Sequence, residues 1–180
     1  MDSFWSNIFK ERTKEERGIY DILRNVPLFE DLTKKELAAV ERILYRRQYQ
    51  AGEVIFHQGD PGLGMYIIEA GTVTVILEPA QQVLAELRDG EFFGELALLD
   101  ESPRSATVTT QTDCKILGFF QSELFDLLSR NPKLSVKIVM KLARIIGERL
   151  KKSNQQMQDL RKEIQTLKKP QQKSLEFNNE

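Results

Sequence analysis

Residues 90–108 have the sequence GEFFGELALLDESPRSATV, which places one carboxylate, Glu95, among aromatic and aliphatic side chains. Burying a charge is costly unless an opposite charge or a hydrogen-bonding group meets it. One base, Arg104, follows Glu95 after nine residues and stands directly behind Pro103. The stretch therefore predicts one of two arrangements. Either the two charges pair with each other, or both bind a ligand.

The composition of this stretch favours a ligand with a phosphate and a sugar. Residues 95–99 suit about one helical turn, and the first amides of such a turn attract an anion. Ala97 and Ala106 are small enough for the backbone to approach a ligand closely. The guanidinium of Arg104 matches two phosphate oxygens, and the carboxylate of Glu95 accepts a hydrogen bond from a sugar hydroxyl. We therefore expect a ribose phosphate site.

The chain around this stretch has the pattern of a small β structure. Glycine-rich turns separate short apolar runs between residues 51 and 120. We predict strands at residues 54–56, 65–68, 73–77, 83–87, 106–108 and 116–119. Strands without intervening helices favour an antiparallel β-roll, a jelly-roll-like barrel, over a parallel α/β sheet.

Helices are predicted on both sides of the roll, which makes the fold class α+β. Residues 1–50 are predicted to be helical, with capping-box patterns at residues 13–16 and 33–36 and a break at Pro27. An apolar cluster precedes the first capping box, and it either packs on the chain or docks a partner or a membrane surface. Its members are Phe4, Trp5, Ile8 and Phe9.

A long helix is predicted from Asn131, a capping residue, to Lys169, just before Pro170. One apolar stripe has heptad spacing and predicts a homodimeric coiled coil, although a helix folded back within a monomer is the alternative. Its members are Val139, Ala143, Ile146, Leu150, Met157, Leu160, Ile164 and Leu167, with Ser153 as the polar member. A second stripe is expected to pack on the roll, namely Leu134, Ile138, Leu142 and Ile145.

Composition excludes several classes of protein. The 180 residues are 41% hydrophobic and 29% charged, with a formal net charge of −1, as in an ordinary soluble protein without global attraction to nucleic acid. No apolar run is long enough to span a bilayer, and the N-terminus lacks a secretion signal. The single Cys114 excludes an internal disulfide. We expect a cytoplasmic protein.

Neither catalysis nor metal binding is predicted. His57 is the only histidine and Cys114 the only cysteine, so no nucleophile–histidine pair or multi-ligand zinc site stands out. His57 is expected to be structural, and Cys114 to pack beside the start of a strand. The protein is therefore not expected to be an enzyme.

The segment FGELALLDESPRSATV, residues 93–108, resembles the phosphate-binding cassette of the cyclic nucleotide-binding domain family. This family includes regulatory subunits of cAMP-dependent kinases, cyclic-nucleotide-gated channels and bacterial cAMP receptor proteins. Upstream, VPLFEDLTKKEL resembles its leading helices, and AGEVIFHQGDPGLGMYIIEAGTVTV its first strands. The resemblance implies a binding domain at residues 25–150, after a helical extension at 1–24. The long helix occupies 131–169, and a disordered tail is expected at 170–180.

The resemblance also implies roles for individual residues. Glu95 binds the ribose 2′-hydroxyl, Arg104 binds the cyclic phosphate, the amides of Ala97 and Ser105 reach phosphate oxygens, and Gly94 lines the ribose. Arg149 is either a contact to the base or a surface charge. The complete predicted binding set is Phe93, Gly94, Glu95, Leu96, Ala97, Arg104, Ser105, Ala106 and Arg149.

The predicted function is a stand-alone bacterial cyclic-nucleotide sensor acting on an unknown protein effector. Ser105 favours cAMP over cGMP, because cGMP-preferring members often carry Thr at this position. Ligand is expected to move Leu98 or Leu99 against Phe125 or Leu128 and so reset the long helix. The alternatives are a ligand-free scaffold with a degenerate pocket and an accessory DNA-binding regulator. The residues after Lys169 are too few for a helix-turn-helix, so DNA binding in its own right is not expected.

Overall fold

The computed structural model describes residues 18–176, with side chains described through residue 166, and has two compact units joined between Lys141 and Leu142. Helix α1 covers residues 18–25, and a 3-10 turn follows at Pro27–Phe29. The remaining helices are α2 at Lys34–Glu41, a 3-10 helix at Glu95–Leu98, α3 at Gln121–Arg130 and α4 at Pro132–Glu176. The strands are β1 at Tyr45–Tyr49, β2 at Val54–Phe56, β3 at Gly64–Ala70, β4 at Val73–Leu77, β5 at Gln82–Leu87, β6 at Phe92–Phe93, β7 at Thr107–Thr110 and β8 at Cys114–Phe120.

The strands form two antiparallel sheets of four, in the orders β1-β8-β3-β6 and β2-β7-β4-β5. Buried side chains from both sheets meet in one core, among them Ile68 and Phe93 from the first sheet and Val73 and Val108 from the second. The predicted α+β class with an antiparallel β-roll is therefore confirmed.

The first sheet is covered on both faces. Successive strand residues point to opposite sides, so Ile116 faces the core between the sheets while Phe119 faces away from it. The ring of Phe119 lies 6.2 Å from that of Phe29 in the 3-10 turn before α2. The N-terminal helical segment thus packs on the outer face of this sheet.

The predicted helix through residue 50 is wrong for residues 45–49, which form β1. The sequence YRRQY has only one buried side chain, Tyr49, and lacks the apolar pattern of a strand. β1 is an edge strand whose backbone pairs with β8, from Tyr45↔Gly118 to Tyr49↔Cys114. Backbone pairing with a distant strand, rather than local pattern, determines its conformation.

The predicted break at Pro27 and the capping box at residues 33–36 are both confirmed. Oγ1 of Thr33 accepts a hydrogen bond from the Glu36 amide at 3.4 Å, and Oε2 of Glu36 accepts one from the Thr33 amide at 2.8 Å. The first capping box and the apolar cluster at residues 4–9 lie outside the described residues.

Two lysines of α4 tie the start of this helix to the N-terminal helical segment. Nζ of Lys137 lies 2.8 Å from Oε1 of Glu36, and Lys141 pairs with Glu30. Leu134 and Ile138 of α4 are completely buried. The first turns of α4 are therefore held by both apolar and ionic contacts.

Helix α4 extends beyond the predicted end at Lys169. It continues through Pro170 to Glu176, so the predicted disordered tail is wrong for residues 170–176, and residues 177–180 lie outside the described part. A proline removes one backbone hydrogen bond and can kink a helix without requiring it to end. The lysines and glutamines around Pro170 favour continuation, because both are good helix formers.

Candidate ligand-binding site

The backbone of the predicted cassette makes the single short turn that its composition predicts. Gly94 precedes this turn with φ of 73°, and the 3-10 helix Glu95–Leu98 follows. The amide of Ala97 donates to the carbonyl of Gly94 at 3.2 Å. In this structure that amide belongs to the turn itself, so its predicted contact with a phosphate remains a prediction.

Burial alternates sharply along the turn. Glu95 is 6% exposed and Leu98 is 1% exposed, whereas Leu96 and Leu99 are each about half exposed. Leu98 therefore points inward, whereas Leu99 does not. The turn also contacts α3, and Leu98 is the buried member of the pair.

A loop after β2 holds the backbone of Arg104. The amide of Arg104 donates to the carbonyl of Asp60 at 2.8 Å, and its carbonyl accepts from the amide of Gly59 at 2.9 Å. Gly62, farther along the loop, packs so tightly that an added Cβ would lie 2.9 Å from the Cβ of Ala97. The loop thus contacts both the beginning and the end of the cassette.

The side chain of Arg104 is buried in an aromatic environment. It is 7% exposed, and its Cζ lies 4.2 Å from the ring centre of Phe56 and 5.6 Å from that of Tyr66. Nη1 donates to the carbonyl of Gly94 at 3.3 Å, whereas Nε has no hydrogen-bond partner among the described residues. Burial lowers the pKa of the guanidinium, and the neighbouring Tyr66 and Asp60 oppose this shift.

Gly94 is the residue that lets the guanidinium lie here. Its positive φ is unfavourable for other residues, and an added Cβ would lie 2.6 Å from Nη1 of Arg104. Glycine is therefore required both by the turn and by the side chain that rests on it.

Comparison with known proteins identifies the family to which this fold belongs. A family model described as the cyclic nucleotide-binding domain matches residues 46–131, a range that includes the roll and the whole cassette. The chain belongs to the cyclic nucleotide-binding domain family. The predicted resemblance is thereby confirmed.

Relatives in this family include regulatory proteins from different organisms. A cAMP-dependent protein kinase regulatory subunit of Colletotrichum orbiculare is 36% identical over 122 residues, which are 67% of this chain and 31% of that protein. The cyclic AMP receptor protein of Thermus thermophilus is 34% identical over 129 residues, 70% of this chain and 60% of that protein. The chain thus spans less than two thirds of either relative.

A solved structure of a cyclic nucleotide-binding domain from Methylobacillus flagellatus supports the same fold. It has a TM-score of 0.68 and 25% identity, covering 78% of this chain and 80% of that one.

Within residues 18–176 no helix is both long and apolar enough to cross a bilayer. The same residues contain no group of three or more histidine, cysteine or acidic side chains arranged to hold a metal ion.

The cyclic nucleotide-binding cassette brings most of the predicted residues into one region. Gly94 and Arg104 are in contact, Phe93 is buried behind them, and Ala106 is 6% exposed. Ser105 is exposed. Arg149 lies on α4 in the second compact unit, and its contact with the base remains a prediction.

Sequence analysis missed two aromatic neighbours of Arg104. Phe56 and Tyr66 were assigned to strands but not to the site. Strand alternation places Tyr66 on the same face as Ile68, and Tyr66 pairs with Phe93 across β3 and β6. This pairing is the signal that could have assigned Tyr66 to the site. It depends on which strands pair, so local sequence pattern does not provide it.

Cys114 and His57 are the two reactive side chains considered earlier. Cys114 begins β8, is 3% exposed and is a free thiol, as expected from its place in the sequence. The side chain of His57 is 61% exposed, and its Nδ1 lies 3.9 Å from Oε1 of Glu78.

Proposed function

We propose that this chain is a regulatory sensor of a cyclic nucleotide, with cAMP as the preferred ligand. The observation that carries the proposal is the environment of Arg104 in a member of this family. The guanidinium is buried beside Gly94, and its Nε has no hydrogen-bond partner within the described residues. A buried donor of this kind is satisfied when an anion binds.

Two charged side chains divide the recognition of the ligand. Arg104 binds the cyclic phosphate and Glu95 accepts a hydrogen bond from the ribose 2′-hydroxyl. Each such charge-assisted bond contributes about 1.5–3 kcal/mol. The amides of Ala97 and Ser105 complete the phosphate contacts, and binding exchanges the Ala97–Gly94 hydrogen bond for one to the ligand.

The proposed preference for cAMP is supported by one residue and by the names of two relatives. Ser105 stands where cGMP-preferring members of the family often carry threonine. Both curated relatives described above are named for cAMP. Arg149 of α4 is proposed to cover the base.

The proposed output passes through α4 and a second copy of the chain. At heptad spacing, α4 carries large apolar side chains that are about half exposed, and such a stripe is what a partner helix in a coiled coil buries. These side chains are Leu150, Met157, Leu160 and Ile164. Ligand binding is proposed to shift the turn that contains Leu98 against α3 and thereby change α4, in a chain that binds an effector protein in the cytoplasm.

Calorimetric titration with cAMP, cGMP and a cyclic dinucleotide tests the proposal. We expect binding of cAMP and weaker binding of cGMP. Absence of binding by all three ligands would reject a sensor function and favour a scaffold. Tighter binding of cGMP would retain the sensor but reverse its specificity.

Hydrogen exchange measured with and without cAMP tests the output separately. We expect protection to change in α3 and in the first half of α4, because a ligand shifts an equilibrium only if it binds one state better. Identical exchange across residues 122–165 would contradict the proposed conformational output.

A further inference from the structure

The side chain of Arg104 lies against two aromatic rings that come from different sheets. Phe56 belongs to β2 and Tyr66 to β3, and their ring centres lie 4.2 Å and 5.6 Å from the guanidinium carbon. Both distances are within the roughly 6 Å at which a ring face attracts a cation. We propose that Phe56 and Tyr66 form an aromatic platform that positions Arg104 for the phosphate, a proposal that rests on the proposed function above.

The rings of the platform are held by one another. The centres of Phe56 and Tyr66 are 5.8 Å apart, and Phe93 lies 5.9 Å from Phe56 and 5.5 Å from Tyr66. Tyr66 and Phe93 are also partners in the pairing of β3 with β6. Mutual packing of three rings on paired strands restricts their rotation, so the platform presents a fixed surface to the guanidinium.

An aromatic platform leaves the guanidinium able to bind a ligand. A carboxylate partner accepts hydrogen bonds from the N–H groups in the guanidinium plane, which are the same groups that bind phosphate. A ring attracts the cation through its face and takes none of these donors when the two planes stack. This is consistent with the absence of a hydrogen-bond partner for Nε among the described residues. Phe56 and Tyr66 stabilise the buried charge, and Nε has no hydrogen-bond partner among the described residues, whereas Nη1 already donates to the carbonyl of Gly94.

The expected consequence is a loss of affinity for cAMP when a platform ring is replaced by an aliphatic side chain. The variants Phe56→Leu and Tyr66→Leu should each bind cAMP about 3- to 30-fold more weakly, which is the range of a partly buried cation–π contact. The variant Phe56→Tyr keeps the ring and should bind within about twofold of the wild-type chain, less than the smallest loss that a cation–π contact predicts. Both residues act as positioning residues, through Arg104.

A control on the opposite face of the same sheet separates positioning from general packing. Phe119 is completely buried, and its ring lies 6.2 Å from that of Phe29. The variant Phe119→Leu should lower the free energy of unfolding without changing the affinity for cAMP. Equal losses of affinity in Phe119→Leu and Phe56→Leu would overturn the platform.

A ligand-free measurement tests the contact directly. In a ¹H–¹⁵N spectrum of the full chain, the Arg104 Nε–Hε resonance, assigned with the variant Arg104→Gln, should carry a ring-current shift. This shift should diminish in Phe56→Leu and persist in Phe119→Leu. A resonance unaffected by Phe56→Leu would overturn the proposal.

Binding and spectroscopy together distinguish failure of the platform from failure of the proposed function. If the wild-type chain binds cAMP and Phe56→Leu binds it equally well, the platform is wrong while the sensor function stands. If the wild-type chain binds no cyclic nucleotide, both proposals are overturned.

Discussion

The carbonyl of Gly94 and the guanidinium of Arg104 join the two ends of the cassette. Nη1 of Arg104 donates to this carbonyl at 3.3 Å, and an added Cβ on Gly94 would lie 2.6 Å from the same nitrogen. The glycine thus admits the side chain that is proposed to bind the phosphate, and the side chain in turn holds the backbone before the turn. The roles of the two residues can therefore be tested with one variant of each and a matched control.

Replacing Arg104 should abolish most of the affinity for cyclic nucleotide. We expect Arg104→Ala to weaken binding of cAMP at least about tenfold, because a charge-assisted contact to phosphate is worth about 1.5–3 kcal/mol. Calorimetry measures the change. The matched control is Arg130→Ala, since the side chain of Arg130 is 80% exposed on α3. An unchanged affinity in Arg104→Ala would reject the assignment of Arg104 to the phosphate.

Replacing Gly94 should reduce both stability and affinity. In Gly94→Ala the left-handed backbone costs about 1–2 kcal/mol, and the new methyl group displaces Nη1 of Arg104. We therefore expect roughly tenfold weaker binding of cAMP, for a displacement worth about 1.4 kcal/mol. Urea unfolding and calorimetry measure the two effects.

Gly52 offers a matched control for this backbone strain. Its φ is 85° and an added Cβ would meet nothing within 4 Å, so Gly52→Ala should lose similar stability without losing affinity. If both glycine variants lost affinity equally, contact with Arg104 would not be the cause.

The ion pair of Glu36 with Lys137 predicts a dependence of stability on acid pH. Hydrogen bonds from Lys137 and from the Thr33 amide lower the pKa of Glu36 from 4.5 to about 2. A carboxylate with a lowered folded-state pKa stabilises the fold fully above its unfolded pKa. The contribution is lost as pH falls from about 4.5 towards 2.

The free energies of unfolding of Glu36→Gln and of the wild-type chain should therefore become similar at acid pH. Near pH 7 the variant should be less stable by about 1 kcal/mol, the size of a lost helix cap or exposed ion pair. The difference should shrink below pH 4.5, and Lys137→Gln should show part of the same change. A constant difference between wild type and Glu36→Gln from pH 6 to 3 would contradict the assigned pKa.

The apolar stripe of α4 predicts a dimer that one added charge disrupts. Leu160 is 59% exposed, and Leu160→Glu would place a carboxylate inside the proposed coiled-coil seam. Sedimentation analysis should show a dimer for the wild-type chain and a monomer for this variant at the same concentration. Gln158→Glu adds a charge outside the stripe and should leave the dimer intact. A monomeric wild-type chain would refute dimerisation.

Local sequence pattern predicted most of the elements of the roll because their determinants lie within a few residues. Apolar runs between glycine turns located β2, β3, β4, β5, β7 and β8. The capping box at Thr33 and the break at Pro27 were correct for the same reason. The one-turn helix at Glu95 was also predicted, since its composition and the room available are local properties.

Elements that depend on distant pairing escaped prediction. β1 has a charged, unalternating sequence and exists because β8 supplies its hydrogen bonds. β6 has only two residues, Phe92 and Phe93, which pair with β3.

The end of α4 was predicted wrongly for a different reason. Pro170 was expected to end α4, whereas the helix continues to Glu176.

The sequence by itself determined which side chains are candidates for the site: the carboxylate of Glu95 and the guanidinium of Arg104, with a short turn between them, in a segment that resembles the phosphate-binding cassette of the family. Only the tertiary structure decided which side chains surround the guanidinium of Arg104. Phe56 and Tyr66 lie 48 and 38 residues before Arg104 in the sequence. They reach its guanidinium because two sheets close over each other and the register of β3 with β6 aligns the rings. Such contacts follow from long-range strand pairing, which no short stretch of sequence encodes.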